Sequence, residues 1–297
     1  MTEVHHFSYG LVTPVAAYLM SFVGSLLGLL CTARARATTG RSRASWLGLA
    51  ALAIGGTGIW VMHFIAMLGF SIPNTEIRYD VPLTLLSCAT AIVVVAIGLF
   101  IVGFAGDGVP AIVTGGVLTG IGVASMHYTG MTAMKMGGEI GYQPALVALS
   151  VVIALVAATA ALWFALKVRG LLPTAGAALI MGVAVTGMHY TGMAAMRVTL
   201  HEHAHGAPSG GVEPTDFLLP LVGGVGAVAT ILLVIIAMAP SEDEMRVEAQ
   251  LQERLAARRD RPQPSAPASP GGPTGSADAA GRGRTAGEWF GGGTPRP

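Results

Sequence analysis

Seven runs of apolar residues, each about 20 long, limit what this chain can fold into, because a run of that length crosses a ~30 Å hydrocarbon core as an α-helix. The runs lie near residues 11–31, 46–70, 81–104, 110–134, 144–166, 173–196 and 217–239. Only 11% of the residues are charged, against about 25% in ordinary soluble domains. The chain therefore reads as an all-α membrane protein with seven transmembrane helices. Pro14, Pro82, Pro110, Pro144, Pro173 and Pro220 fall in expected first turns, where the missing N–H has no helical partner to lose. The net charge of +1 gives no field for nucleic acid. Two cysteines make no disulfide scaffold.

The short connections set the expected orientation. With the N-terminus outside, the inner connections hold Arg34, Arg36, Arg41, Arg43, Lys167 and Arg169. The outer side holds Arg78, Lys135 and Arg197. Cytoplasmic connections carry the excess of Lys and Arg, so the C-terminus is expected in the cytoplasm. No basic residue precedes the first run, so it is expected to stay in the mature protein rather than act as a signal peptide. Residues 1–240 form the membrane domain in this reading. Residues 241–260 read as a short charged helix with a thin apolar edge of Met245, Leu251 and Leu255. Residues 261–297 are rich in Pro, Gly, Ser and Ala and are expected to be disordered.

A short box recurs in three of the runs. It reads Met62-His63-Phe64-Ile65-Ala66-Met67, then Met126-His127-Tyr128-Thr129-Gly130-Met131, then Met188-His189-Tyr190-Thr191-Gly192-Met193. The histidines are 64 and 62 residues apart, so the first six helices read as three two-helix repeats. Each box lies on an inside-to-outside helix, about 10 Å below the outer surface at ~1.5 Å per residue. Three imidazoles are thus expected at one depth. Residues four and seven apart share a helix face, which aligns His127 with Met131 and Met134, and His189 with Met193 and Met196. In the first box the same stripe is His63, Met67 and Phe70.

Imidazole binds late transition metals, and thioethers select soft ones, Cu(I) above all. Ionisable groups within a span are costly and face the bundle interior or a cavity. Three matched boxes therefore point to a metal site between the second, fourth and sixth helices, with a soft path leading outward. Zn²⁺ with three His usually takes a fourth ligand, and haem could use a His pair or His/Met. The competing reading is neutral histidines hydrogen-bonded between helices, with methionine as filler. The hydroxyls of Tyr128, Thr129, Tyr190 and Thr191 could orient the ligand rings or simply bond between helices. Phe64 and Ile65 lack them.

Met-His-Tyr-Thr, at 126–129 and 188–191, is the signature of the MHYT family, and residues 6–240 resemble that family. The resemblance implies a bacterial integral-membrane sensor in the plasma membrane. It implies Met62, His63, Met126, His127, Met188 and His189 as candidate metal ligands, with Met67, Met131 and Met193 behind them. Copper is the implied metal, ahead of haem, and a diatomic gas or the redox state is the implied signal. The first box, Met-His-Phe-Ile, departs from the signature. No appended output domain is expected, so a cytoplasmic signalling partner is. A copper-handling transporter and a membrane haem or copper redox protein stay as rivals.

Weaker features complete the reading. His5, His6, His201, His203 and His205 could gather a metal on the outer side or be polar surface. Cys88 lies near the histidine depth, and Cys31 reads as packing. Gly24/Gly28 and Gly116/Gly120 predict close helix contacts. No paired carboxylates, activated nucleophile or phosphate-cradling loop appears, so no catalytic residue is expected.

Overall fold

The computed structural model describes residues 7–73, 75–200, 210–238 and 242–259. Among these described residues are seven helices long and apolar enough to cross a membrane. They are α1 (Val12–Ala37), a composite second span, α4 (Val81–Ala105), α5 (Val109–Thr132), α6 (Pro144–Lys167), α7 (Leu171–Ala194) and α8 (Pro214–Met238). The second span runs α2 (Gly40–Ala51), a π-helical segment (Leu52–Val61) and α3 (Met62–Leu68). The charged helix α9 covers Glu242–Arg259. Two compact units divide after Glu248, Met1–Glu248 and Ala249–Pro297. The expected disordered tail and all five peripheral histidines lie outside the described residues.

The protein is a multi-pass, all-α membrane protein whose first six spans are three helix pairs. Small residues let the helices approach closely, which is how membrane helices associate without a hydrophobic drive. A side chain at Gly24 would strike the Gly58 backbone of the π segment. One at Gly120 would meet Leu155 Cα at 2.7 Å on α6, and Gly116 lies against Thr159.

Three features depart from the expectations. Helix α1 continues to Ala37, because its arginines find work at the bundle end. Arg36 donates to the carbonyls of Ala165 and Val168 at the end of α6, and Arg34 to the carbonyl of Ile236. These carbonyls have no partner within their own helix ends. Pro220 is not in a first turn but inside α8, which starts three residues earlier than expected, at Pro214. The π segment has no counterpart among the described residues of the other spans. Its Gly55, Gly56 and Gly58 weaken α-helical preference, and one turn of π-helix takes up an extra residue.

The end of the bundle nearest the boxes carries a cap of short strands. β1 (Arg78–Tyr79) pairs antiparallel with β2 (Met134–Lys135), and β3 (Gly138–Tyr142) with β4 (Met196–Leu200). Tyr79 and Val212 exchange backbone hydrogen bonds of 2.9 and 3.0 Å. Asp80 caps α4 by accepting from the Leu83 N–H at 3.1 Å, and pairs with Lys135 at 2.7 Å. The Lys135 contact, chiefly, holds the Asp80 carboxyl below the ordinary carboxylate range. Burial pushes the Tyr142 hydroxyl up to about 12. The cap is why Met134 and Met196 are not on helices. α5 and α7 stop at Thr132 and Ala194, and the methionines beyond stand in β2 and β4.

Candidate metal centre

Each box histidine sits five residues before the end of its helix, on α3, α5 and α7. The common depth read from the repeat is therefore real, and about 7.5 Å below the helix ends at ~1.5 Å per residue. His63, His127 and His189 are each 1% exposed. Their rings meet nearly edge to face, with centroids 4.9, 4.9 and 5.2 Å apart.

The rings turn the same atom inward. His63 Nδ1 lies 2.9 Å from His189 Nδ1 and 3.2 Å from His127 Nδ1. One ligand atom from each of the three falls within 4.8 Å of the others. An imidazole nitrogen offers one in-plane proton or one lone pair, and facing nitrogens need one of each. His63 Nδ1 faces both of the others, so its single proton or lone pair has to serve two partners. A cation receiving three lone pairs removes that conflict. Metal–nitrogen bonds of about 2.0–2.1 Å would set the nitrogens about 3.3–3.6 Å apart, a little wider than observed. The donor set fits a small late-transition-metal ion.

The outward nitrogens explain part of each box. His63 Nε2 lies against Gly130, and His127 Nε2 against Gly192. Both nitrogens are buried without a hydrogen-bond partner. A methyl group at either glycine would collide with the ring. Each repeat's glycine thus makes room for the preceding repeat's histidine. In the first box Ala66 stands at this position.

The six box methionines are all buried, at 2% exposure or less. Met67, Met131 and Met193 follow their histidines by one helical turn, toward the cap. Met62, Met126 and Met188 precede theirs by one residue. Among the described histidine, cysteine and carboxylate side chains the three imidazoles converge, and Cys88 is not with them. The hydroxyls do not reach the ring nitrogens. Tyr128 OH bonds Ser150 Oγ at 2.7 Å, and Thr191 donates to Gly187 O in its own helix at 2.7 Å. Tyr190 OH has no partner, and Thr129 is half-buried.

The sequence reading missed Trp60. Its indole N–H donates to Ser87 Oγ at 2.9 Å, doing between repeats one and two what Tyr128 and Ser150 do between two and three. Phe64, in the place of the tyrosine, packs against Trp60 with the ring centroids 4.8 Å apart and the planes tilted. At the third seam, fully buried Ser21 on α1 and Tyr190 on α7 have no such bond. An aromatic donor one turn before His63 was the available signal.

Residues 56–115 and 120–178 match the family MHYT, described as a bacterial signalling protein N-terminal repeat. The third box, at 188–193, follows the second match. The chain is 39% identical over 248 residues to the bifunctional diguanylate cyclase/cyclic di-GMP phosphodiesterase MucR of Pseudomonas aeruginosa, covering 82% of this chain and 35% of that protein. It is 38% identical over 157 residues to the cyclic di-GMP phosphodiesterase NbdA of the same organism, covering 51% and 20%. It is 28% identical over 204 residues to the signalling protein YkoW of Bacillus subtilis, covering 66% and 25%. The chain thus spans about a third or less of the length of these relatives. No solved structure matches it.

Proposed function

Since this chain belongs to the MHYT family of bacterial signalling proteins, we propose that it is a membrane sensor that holds one copper ion between His63, His127 and His189. The observation that carries the reading is the convergence of three buried Nδ1 atoms, in which His63 Nδ1 has one proton or one lone pair to share between two neighbours. The metal-ligand group contains no carboxylate, so an ion brings its full charge into a buried site. The cost of burying charge grows with its square, which favours Cu(I) over any divalent ion. The soft methionine surroundings favour it as well. Inward-facing rings in mutual contact suit a single ion better than haem. A bound Cu(I) would supply a centre open to redox change and to small neutral ligands. The protein's share is to hold the three rings in place, exclude water and carry their movement along α3, α5 and α7.

The capped end faces outward in this proposal, in the plasma membrane, because Arg34, Arg36, Arg41, Arg43, Lys167 and Arg169 gather at the other end. The signal is read there, through α8 and α9, by a cytoplasmic signalling domain or partner. In MucR and NbdA the named activities concern cyclic di-GMP, which makes turnover of that nucleotide the proposed output. Apolar walls beyond the imidazoles argue for a sensor over a transporter.

The test is the metal content of the detergent-purified full chain beside a His63/His127/His189→Ala triple variant. Stoichiometric copper in the wild type and none in the variant is expected. No copper in the wild type, even after loading with Cu(I) under reducing conditions, overturns the reading.

A further inference from the structure

Helices α5 and α6 run antiparallel, and their seam changes character along its length. Near the middle of both helices the backbones close up, because Gly120 lies against Leu155 and Gly116 against Thr159. About two turns farther toward the basic end, Lys167 meets Asp107 at 2.5 Å. Along this stretch the seam carries a groove of about 690 Å³. Buried Ile112 is its floor, and Val109 and Trp163, 73% and 48% exposed, stand on its rim.

Its length selects the occupant. On α6 the groove runs from Leu155 to Phe164, about 13.5 Å at ~1.5 Å per residue. One leaflet supplies about half of a ~30 Å hydrocarbon core. Leu155 stands midway along α6, so the groove spans one leaflet and stops at the bilayer midplane. A transmembrane helix of a second copy runs through both leaflets, whereas an acyl chain needs only one. The lining suits such a chain. It carries no charged residue, and its one hydroxyl, on Thr159, donates to the Leu155 carbonyl in its own helix at 2.7 Å.

The groove's end at the basic side has a different chemistry. Lys167, Asp107 and Arg169 are exposed there. The Arg43 guanidinium lies over the Phe104 ring, 5.5 Å from its centroid and three residues before Asp107. Asp107 is the only acid in residues 33–45, 103–112 and 164–173, so cations outnumber it. The Lys167 ammonium has three protons and keeps donors beyond the one it gives Asp107. Helix α5 starts here, with no side chain capping it at Gly108, and its positive dipole end favours an anion. Basic pockets between membrane helices bind anionic headgroups, and tryptophan favours the level where headgroups begin.

We propose that the α5–α6 groove binds one anionic phospholipid from the leaflet at the basic end, with an acyl chain against Ile112 and Trp163 and its phosphate on Lys167 and Arg169. Arg36 holds the carbonyls of Ala165 and Val168 on the same end of α6, so the lipid meets the bundle where α1 grips it. The site depends neither on the metal centre nor on which leaflet faces the cytoplasm.

The probe is dioleoyl phosphatidylglycerol, compared with zwitterionic dioleoyl phosphatidylcholine. Each is titrated onto the delipidated full chain in detergent and read by native mass spectrometry. The wild type is expected to hold one phosphatidylglycerol in preference to phosphatidylcholine. A Lys167→Gln/Arg169→Gln variant is expected to lose about fivefold in affinity per cation, and the preference with it. Ala160→Phe fills the groove and is expected to weaken both lipids; the exposed charge variant carries the test if Ala160→Phe does not fold. Val183→Phe, at a 62% exposed position on α7, is expected to change nothing. Equal binding of the two lipids by the wild type overturns the proposal, as does undiminished phosphatidylglycerol binding in the folded variants. A two-chain mass that Ala160→Phe breaks up, with no lipid preference, overturns it too and gives the groove to a second copy.

Discussion

Adding one methyl group at Gly130 tests the geometry of the centre directly. A Cβ there meets the His63 ring on its Nε2 side, with Cδ2 at 3.1 Å and Cε1 at 3.4 Å. Restoring ordinary contact of about 3.5 Å moves the ring by about 1 Å. The ring has little freedom, being wedged between Phe64, His127 and His189 at centroid distances of 4.8, 4.9 and 4.9 Å. Overpacking of this kind costs about 1–3 kcal/mol, offset by about 1 kcal/mol of helix propensity gained on replacing glycine. Gly130→Ala is therefore expected to destabilise the fold by at most about 2 kcal/mol. Metal–ligand distances tolerate only about 0.2 Å of error, so the same movement takes one imidazole off the proposed ion. A fall of at least ~10-fold in Cu(I) affinity is expected, as for other disturbed metal shells. The assay is competition with a chromogenic Cu(I) chelator in detergent, beside thermal unfolding of the same samples. Gly192→Ala meets the His127 ring more closely, with Cδ2 at 2.9 Å and Cε1 at 3.1 Å, and is expected to be at least as damaging. Gly187→Ala is the control, two residues from His189, where a Cβ meets nothing within 4 Å. Unchanged Cu(I) affinity in folded Gly130→Ala would refute the placement of His63 against Gly130 or its part in the centre.

Three further outcomes follow from the same contacts. Tyr128→Phe removes the bond to Ser150 and is expected to cost about 0.6 kcal/mol, the mean for such bonds between membrane helices; Tyr190→Phe removes a hydroxyl without a partner and is expected to cost nothing, and equal losses in unfolding assays would contradict the asymmetry between seams. Gly55→Ala places a Cβ against main chain, 2.7 Å from Ala91 O and 2.9 Å from Ile92 Cα, and is expected to lose at least ~1–3 kcal/mol; Gly56→Ala, with nothing nearer than 3.7 Å, is expected to fold normally, and similar melting of the two would sink the close approach of the π segment to α4. The carboxyl of Asp80 has a depressed folded pKa, so its stabilisation is present above its unfolded value of about 3.9 and is lost as pH falls through the lower, folded value. Melting temperature is expected to drop on the acid side of that window, and a drop of the same size in Asp80→Asn would remove Asp80 as its source.

The membrane spans were legible because hydropathy and length determine what can cross a bilayer. Their ends were less so. Arg34 and Arg36 look like loop residues in sequence, yet they extend α1 because their guanidinium groups reach carbonyls on neighbouring helices. The shared depth of His63, His127 and His189 was legible because a repeat transfers depth from one helix to the next. Which nitrogen faces the axis was not, since that depends on how each ring packs against the next repeat. Strands of two to five residues, such as β1 and β3, leave too short a pattern to read. The π segment was hidden for another reason. An apolar run looks alike whether it winds with 3.6 residues per turn or more.

The departures from three-fold symmetry gather in the first repeat. It alone winds through a π segment, and it alone has Phe64 for the tyrosine, Ala66 for the glycine and Trp60 as its interhelical donor. Its histidine places Nδ1 within 3.2 Å of both of the others. Three identical repeats would give three equivalent rings, and any movement of the centre would be shared equally among three helices. In the proposed sensor, hanging one ring from a differently wound helix makes the three spans unequal, so movement of the centre falls unevenly on them. The differently wound span runs from His63 back to Gly40, and α2, at its far end, joins α1 beside Arg34 and Arg36, the residues that grip the ends of α6 and α8. In the proposed sensor, the irregular repeat is the mechanical link from the imidazoles to the basic end of the bundle, where the proposed signal is read.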